Sequence, residues 1–403
     1  MVKSGVYLVA RLVPIFYYAY WMVGCSEASL FFILTAWIGA ITAFLAATQG
    51  MVSLELKKAL AYSTVSQIGY MWIGLGVAGL SPSALISGFT SGIFHLMSHA
   101  LFKACLFLCA GSVLHTAHSI YMHHMGGLRR YMPLTWIFMS IAALSLMGVP
   151  PLPGFWSKDA VLLSCLEAHN YLIFIPALIT VLLTSFYTVR FIGMIFHGPE
   201  SENIQDLRNK GVHLGDGYLS MWLACGILAT AIVLIGILGP KAEHLLRKGF
   251  EYTLVEKFLL PVERPSGHSS PHAAVSFLSL ASIISATVIS YLLYISHKLD
   301  PKVILERRPR IRLFYNFFWN RWFIDAFYYR FFVNGTINVS HLVPKFVEDP
   351  LDGAYHKALP SLPRIMYKCV KEFRTENRQL YYNIGYILIF LICIFLIMLK
   401  VMR

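Results

Sequence analysis

Runs of roughly 20 apolar residues recur along the chain, the length an α-helix needs to cross the hydrocarbon core of a bilayer. Nine such segments fall near 2–20, 28–50, 59–79, 84–114, 134–165, 171–196, 218–239, 274–296 and 383–402, with edges good to several residues. The pattern predicts an all-α polytopic membrane protein of about nine transmembrane segments. The first segment is short and starts at the initial Met, as though the chain opened inside a span. The fifth is interrupted by VPPLPGFWSKD, where Pro150, Pro151, Pro153 and Gly154 cannot sustain helical hydrogen bonding. Broken backbone at membrane depth survives only under protein or beside a wet cavity, and discontinuous helices mark ion sites in transporters.

Basic residues set the topology. If spans alternate, the loops at 51–58 (Lys57, Lys58), 115–133 (Arg129, Arg130), 197–217 (Arg208, Lys210) and 297–382 share one face. The last holds most of the positive charge, including Arg307, Arg308, Arg310 and Arg312. The positive-inside rule makes that face cytoplasmic or matrix-side and places the C-terminus outside. Within 297–382, residues 314–332 (FYNFFWNRWFIDAFYYRFF) interleave aromatics with Arg and Asp. Such a stretch suits the headgroup boundary and lies flat on the membrane. Pro344, Pro350, Pro360 and Pro363 further on should kink any surface helix there. The sequons at Asn334 and Asn338 fall on the predicted inner face and read as chance matches.

Composition agrees with a bilayer. Of 403 residues 57% are apolar and 13% charged, about half the charged share of a soluble domain. The net charge of +13 then reflects one-sided loops rather than nucleic-acid binding. Seven cysteines include no C-x-x-C pair, so disulfide, zinc and iron–sulfur readings give way to small apolar residues buried in spans. No cleavable signal peptide is expected, and any redox chemistry belongs to other chains.

The chemistry lies in FHLMSHALFKACLF (94–107), where His95, His99 and Lys103 recur every fourth residue. On a helix they form one stripe, about 6 Å per step. A Lys inside a span costs about 2.5–3.5 kcal/mol on insertion scales, so it faces a polar interior and has a task there. Proton relay is the task these bases suit, since imidazoles titrate near neutrality. The bland alternative stays open for His95 taken alone, as a helix–helix hydrogen bonder to Ser98 or Thr90. The H-x-x-x-H pair has no third ligand nearby, so no metal site is expected. His115, His118, His123 and His124 read as proton-accessible surface residues, with adventitious metal binding a minor alternative.

LKKALAYSTVSQIGYM (56–71), FHLMSHALFKACLFLCAGSV (94–113), MGGLRRYMP (125–133) and PPLPGFWSKD (150–159) together resemble the large antiporter-like subunit of complex I. That family comprises NADH dehydrogenase subunit 5 with its bacterial and archaeal relatives. The final span, LYYNIGYILIFLICIFLIML, after a lateral amphipathic segment is similar to the same subunit. The resemblance implies five regions. Residues 1–20 end a first antiporter-like repeat, and 28–196 form a complete second five-helix repeat with a proton half-channel and a broken helix. Residues 197–296 add two transmembrane helices and loops, 297–382 the amphipathic lateral segment on the cytoplasmic or matrix face, and 383–403 the terminal anchor. Most of the first repeat is then expected to be missing here, supplied by a separate chain or belonging to a longer sequence.

The resemblance also implies roles. Lys103 corresponds to the central proton-holding lysine, with His95 and His99 feeding or draining it. Lys158 and Asp159 correspond to a lysine–acid pair on the exit side, although Lys158 snorkelling to the interface is an alternative. Lys57 corresponds to an entry-side lysine and is alternatively a positive-inside anchor. The expected function is a proton-translocating membrane subunit of a complex I-like respiratory oxidoreductase. Flavin, iron–sulfur clusters and quinone or methanophenazine are expected in partner subunits, with no cofactor in this chain. Its partners would be adjacent antiporter-like subunits and the lipid bilayer, without nucleic acid. The expected location is a prokaryotic plasma membrane or, alternatively, the mitochondrial inner membrane. The alternative function is the large subunit of a multi-subunit sodium/proton antiporter. A non-catalytic scaffold is the third reading.

Overall fold

A computed structural model describes residues 2–257, 260–261, 270–373 and 378–401. It forms two units, Met1–Trp322 and Phe323–Arg403. The first contains α1 (Val2–Trp21), α2 (Ser29–Val52), α3 (Leu56–Val77), α4 (Leu85–Ala117), α5 (Pro133–Met147), α6 (Pro153–Glu167), α7 (Tyr171–Phe196), α8 (Glu202–Asn209), α9 (Leu219–Ile237), α10 (Gly239–Glu251), α11 (Ser270–Tyr294), α12 (Pro301–Arg307) and α13 (Pro309–Trp319). Among the described residues the only β-type pairing is an isolated bridge between Glu55 and Tyr121. The protein is an all-α polytopic membrane protein.

The expected number of spans is a finer matter. By length and apolarity, Ser26–Val52, Pro82–Ala117, Tyr171–Phe196, Leu219–Ile237 and His272–Tyr294 can each cross a membrane, and Pro133–Met147 and Tyr382–Leu396 are shorter apolar helices. The remaining predicted segments are helical too, but α1 and α3 fall outside this set; for α3 the reason is plain. Lys57, Lys58, Ser63, Ser66 and Gln67 lower its hydropathy, and three of them face the bundle interior.

Small residues bring α2 and α3 together. A Cβ on Gly69 would sit 2.5 Å from the Gly39 carbonyl oxygen and 2.6 Å from the Ala43 nitrogen, so only glycine permits this approach. Helix α4 packs on α3 and α6, placing its buried face at the centre of the unit. At one end, Leu56 N donates to Ile120 O and Met122 N to Leu54 O, tying the 51–58 and 118–125 loops together. Gly127 N donates to His197 O, and Ser201 N to Gly126 O, adding the 197–217 loop. Gln49 Nε2 donates to Phe318 O, and Trp322 Nε1 to Thr48 Oγ1, so residues up to 322 join the same end. Within the first unit, the loops that alternation assigns to one face therefore meet there, the last of them as far as Trp322.

The predicted interruption is a true break. Gly148 ends α5 with φ +94, the left-handed conformation that favours glycine. Its N–H and that of Val149 both return to Leu144 O. Pro153 then opens α6 at a position whose missing N–H has no helical partner to lose. Across the bundle, Asp216 accepts from the Leu134 and Thr135 backbone and from the Thr135 hydroxyl, satisfying donors at the start of α5.

The second unit comprises α14 (Ile324–Tyr328), α15 (Asn334–Val343), α16 (Asp349–Asp352), α17 (Leu359–Phe373) and α18 (Arg378–Val401). Wide π turns at Tyr329–Val333, Pro344–Glu348 and Gly353–Ala358 separate its first four helices. One of these turns begins at Pro344, where the missing N–H interrupts regular bonding. None of the described side chains in this unit is buried.

The cysteines divide in two. Cys105, Cys109, Cys165 and Cys225 are buried, as expected of small apolar residues, whereas Cys25, Cys369 and Cys393 are exposed. Cys25 and Cys369 lie outside the predicted spans, and Cys393 sits on an outward-facing side of the last one.

Candidate functional site

Helix α4 carries the stripe as one uninterrupted element, so His95, His99 and Lys103 stack at the pitch their spacing dictates. The two imidazoles are fully buried and Lys103 is 4% exposed. The His95 and His99 ring centroids lie 6.4 Å apart. Lys103 Nζ donates to the Leu60 carbonyl oxygen at 3.1 Å and to the Ser63 hydroxyl, both on α3. At the other end of the stripe, His95 is hydrogen-bonded to Gln67 Oε1 on α3 at 3.0 Å and to Ser157 Oγ on α6 at 2.9 Å. These partners correct the local expectation for His95. Ser98 and Thr90 lie on its own helix and do not reach it; their hydroxyls find no partner among the described residues.

Both ring nitrogens of His99 likewise lack a protein partner, as do the Tyr70 hydroxyl and Gln67 Nε2. Buried polar atoms of this kind call for water or a transient proton partner. The α3–α4–α6 seam is therefore a polar interior walled by apolar helices.

Lys158 extends the seam onto α6. It is 2% exposed, and its ammonium donates to the carbonyl oxygens of Leu146 at 2.6 Å and Met147 at 3.3 Å, closing the C-terminus of α5. It does not snorkel to the interface. Asp159 follows it by one residue, about 100° around the helix, and faces elsewhere. Its carboxylate accepts from the Ser276 and Ser279 hydroxyls of α11 at 2.7 and 2.6 Å. The expected lysine–acid pair is thus two neighbours serving different helices. Adjacency along a helix separates side chains that adjacency in a loop would bring together.

Asp159 lines a cleft of about 300 Å³ with Trp156, Glu243, His244, Arg247 and His272. Burial holds the Glu243 carboxyl above its ordinary range, and nearby Arg247 pulls it partly back. Lys57 stands apart from the stripe. It is exposed and borders a groove with His118, Tyr121 and His124 at the mouth of α3.

Sequence reasoning missed Ser63, Gln67 and Ser157. A signal existed for the first two: Ser63, Ser66, Gln67 and Tyr70 form a helical polar stripe inside an apolar span. The Leu60, Leu146 and Met147 carbonyls carry no such signal, because every residue has one.

Residues 1–184 match the family of membrane segments described as NADH:quinone oxidoreductase/Mrp antiporter. The chain is 33% identical to NAD(P)H-quinone oxidoreductase chain 5 of a Synechocystis species over 402 residues, covering 88% of this chain and 54% of the relative. It is 32% identical to NADH-quinone oxidoreductase subunit L of Neisseria meningitidis, covering 83% of this chain and 50% of the relative. The chain is similar to these complex I subunit 5/L-type, antiporter-like proteins. It spans about half the length of these curated relatives. Two solved assemblies share its fold. One is the membrane-bound sulfane sulfur reductase, an archaeal respiratory membrane complex, with a TM-score of 0.54, 23% identity and coverage of 65% of this chain and 49% of that one. The other is the Mrp complex from a Dietzia species, with a TM-score of 0.50, 21% identity and coverage of 59% and 50%.

Proposed function

We propose that this chain is a proton-translocating membrane subunit of a complex I-like respiratory oxidoreductase. One observation carries the reading: four buried bases, His95, His99, Lys103 and Lys158, line one seam between α3, α4, α5 and α6, and among the described residues no carboxylate is bonded to any of them. Neutral oxygens hold the lysine ammoniums, so neither is locked in an ion pair. Each can lose and regain a proton when charge moves nearby. Lys103 is the central proton holder, His99 and His95 hand the proton along α4, and Lys158 receives it beside the break. Asp159 and its cleft with Glu243 form the exit mouth, and Lys57 stands at the entry.

Electron transfer takes place in partner subunits that hold flavin, iron–sulfur clusters and quinone or methanophenazine. Adjacent antiporter-like subunits flank this chain, and the amphipathic segment 297–382 runs along them at the membrane surface. The segments 1–20, 28–196, 197–296 and 383–403 act as the end of one repeat, the half-channel repeat, two added helices with their loops, and an anchor. The membrane is a prokaryotic plasma membrane, with the mitochondrial inner membrane as the alternative.

The test replaces Lys103 with Ala in the assembled complex and measures protons moved per electron pair. Pumping falls strongly while part of the electron transfer remains; an unchanged ratio overturns the reading. Mass spectrometry of chains co-purifying in mild detergent separates this function from the alternative. Quinone-oxidoreductase subunits support the proposal, whereas small antiporter subunits favour the sodium/proton exchanger.

A further inference from the structure

The bonds around His95 favour one protonation geometry. Gln67 presents its carbonyl oxygen to Nε2 at 3.0 Å, and a carbonyl oxygen only accepts, so Nε2 carries the hydrogen. In the neutral ring Nδ1 is then the acceptor, and Ser157 donates its hydroxyl hydrogen to it across 2.9 Å. The serine has a second acceptor within reach, the Gly154 carbonyl oxygen at 3.4 Å in the first turn of α6. All three side chains are fully buried, so none can exchange these partners for bulk water.

We infer that Gln67 and Ser157 are positioning residues for His95, and that the Ser157 hydroxyl turns between His95 Nδ1 and Gly154 O as the imidazole gains and loses a proton. The inference rests on the proposed relay for its functional sense, though not for its geometry. When His95 takes up a proton from a donor in the seam, one N–H bond breaks on that donor and one forms at His95 Nδ1. The new Nδ1–H donates to Ser157 Oγ, and the hydroxyl hydrogen of Ser157 swings to Gly154 O. Ser157 and Gln67 gain and lose no proton. The imidazolium is then held by two oxygen acceptors, one on α3 and one on α6.

The rotor connects two places that the stripe alone does not. Gly154 N donates to Ser145 Oγ across the break at 3.3 Å. Lys158, which closes the other side of the break, follows Ser157 directly in α6. A proton on His95 therefore changes the hydrogen bonding of the turn that carries Lys158. A hydroxyl turning through one bond needs no backbone movement, so the coupling acts at the speed of side-chain rotation.

The experiment uses the assembled complex with ¹⁵N-histidine label, the His95 ring signals being identified by their loss in His95→Gln. In the unaltered protein we expect a protonated Nε2 and a hydrogen-bonded, unprotonated Nδ1. Ser157→Ala should abolish the hydrogen-bond shift at Nδ1 and slow proton pumping by about tenfold, the scale of losing an orienting partner, without changing KM for the quinone. Ser157→Thr restores both. Gln67→Leu should redistribute the proton between the two ring nitrogens. An Nδ1–H ring in the unaltered protein overturns the inference, as does a Ser157→Ala complex with unchanged ring signals and pumping. If Lys103→Ala pumps normally while Ser157→Ala still shifts the ring signals, the relay reading fails and the positioning of His95 stands.

Discussion

Lys158 Nζ reaches back across the break in the polypeptide to the carbonyl oxygen of Leu146, 2.6 Å away. Of the last four carbonyls of α5, those of Leu144 and Ser145 are taken by the Gly148 and Val149 N–H groups. The Leu146 and Met147 carbonyls are left for the lysine. The same nitrogen that the proposed relay protonates and deprotonates also closes the helix end that makes its site. Structure and proposed function converge on one atom.

Replacing Lys158 with Met keeps the aliphatic length and removes the donor. Two buried carbonyls lose their partner, each at a cost of about 1–3 kcal/mol. We expect the complex to lose thermal stability as well as pumping. A variant that stops pumping at an unchanged melting temperature would show that the helix end has another partner.

Lys103 is held by a carbonyl and by a hydroxyl, and the two can be separated. Ser63→Ala leaves the Leu60 carbonyl in place and removes about 1 kcal/mol of hydrogen bonding. Pumping should slow several-fold and remain well above that of Lys103→Ala. Initial rates of proton release in sealed vesicles compare the variants directly.

The α2–α3 seam depends on the absence of a side chain at Gly69. Gly69→Val places atoms where the Gly39 carbonyl and the Ala43 backbone already sit. Overpacking of this order costs about 1–3 kcal/mol. Reduced yield of assembled complex and a lower melting temperature are expected, with Gly69→Ala milder than Gly69→Val. Equal behaviour of both variants and the parent would mean that the helices stand further apart.

The loop junction at His197 should respond to pH. Burial, followed by the charge of Arg129, holds this imidazole below its ordinary value of about 6.5. The released, unfolded ring takes up its proton first, so between the two values the unfolded form binds more protons. The contribution is intact above about pH 6.5 and is lost as pH falls through the lower folded value. The protection factor of Gly127 N, which donates to His197 O, should fall on acidification once the intrinsic pH dependence of exchange is divided out. His197→Gln should flatten that dependence; a pH-insensitive protection factor in the parent would refute it.

Much of this is legible in the sequence alone. A four-residue repeat of bases predicted one stripe, and α4 delivers it. The VPPLPG run predicted a broken helix, and Gly148 and Pro153 bound the break. Lys158 and Asp159 show where such reading fails. Side by side in the sequence, they serve α5 and α11 respectively, because one residue along a helix is a turn of about 100°.

The amino-acid order by itself determined the class of protein, the helical segments, the break and the face on which the bases of α4 lie. Each of these follows from hydrophobicity, from helical period or from the missing proline N–H, all of which are local properties. Folding alone decided what those bases touch: the Leu60 and Leu146 carbonyls, the Ser63 and Ser157 hydroxyls, and the Gln67 amide. Backbone oxygens are present at every position, and those of Leu60 and Leu146 become special only through the packing of neighbouring helices. Helical spacing says which way a side chain points but not which helix stands opposite.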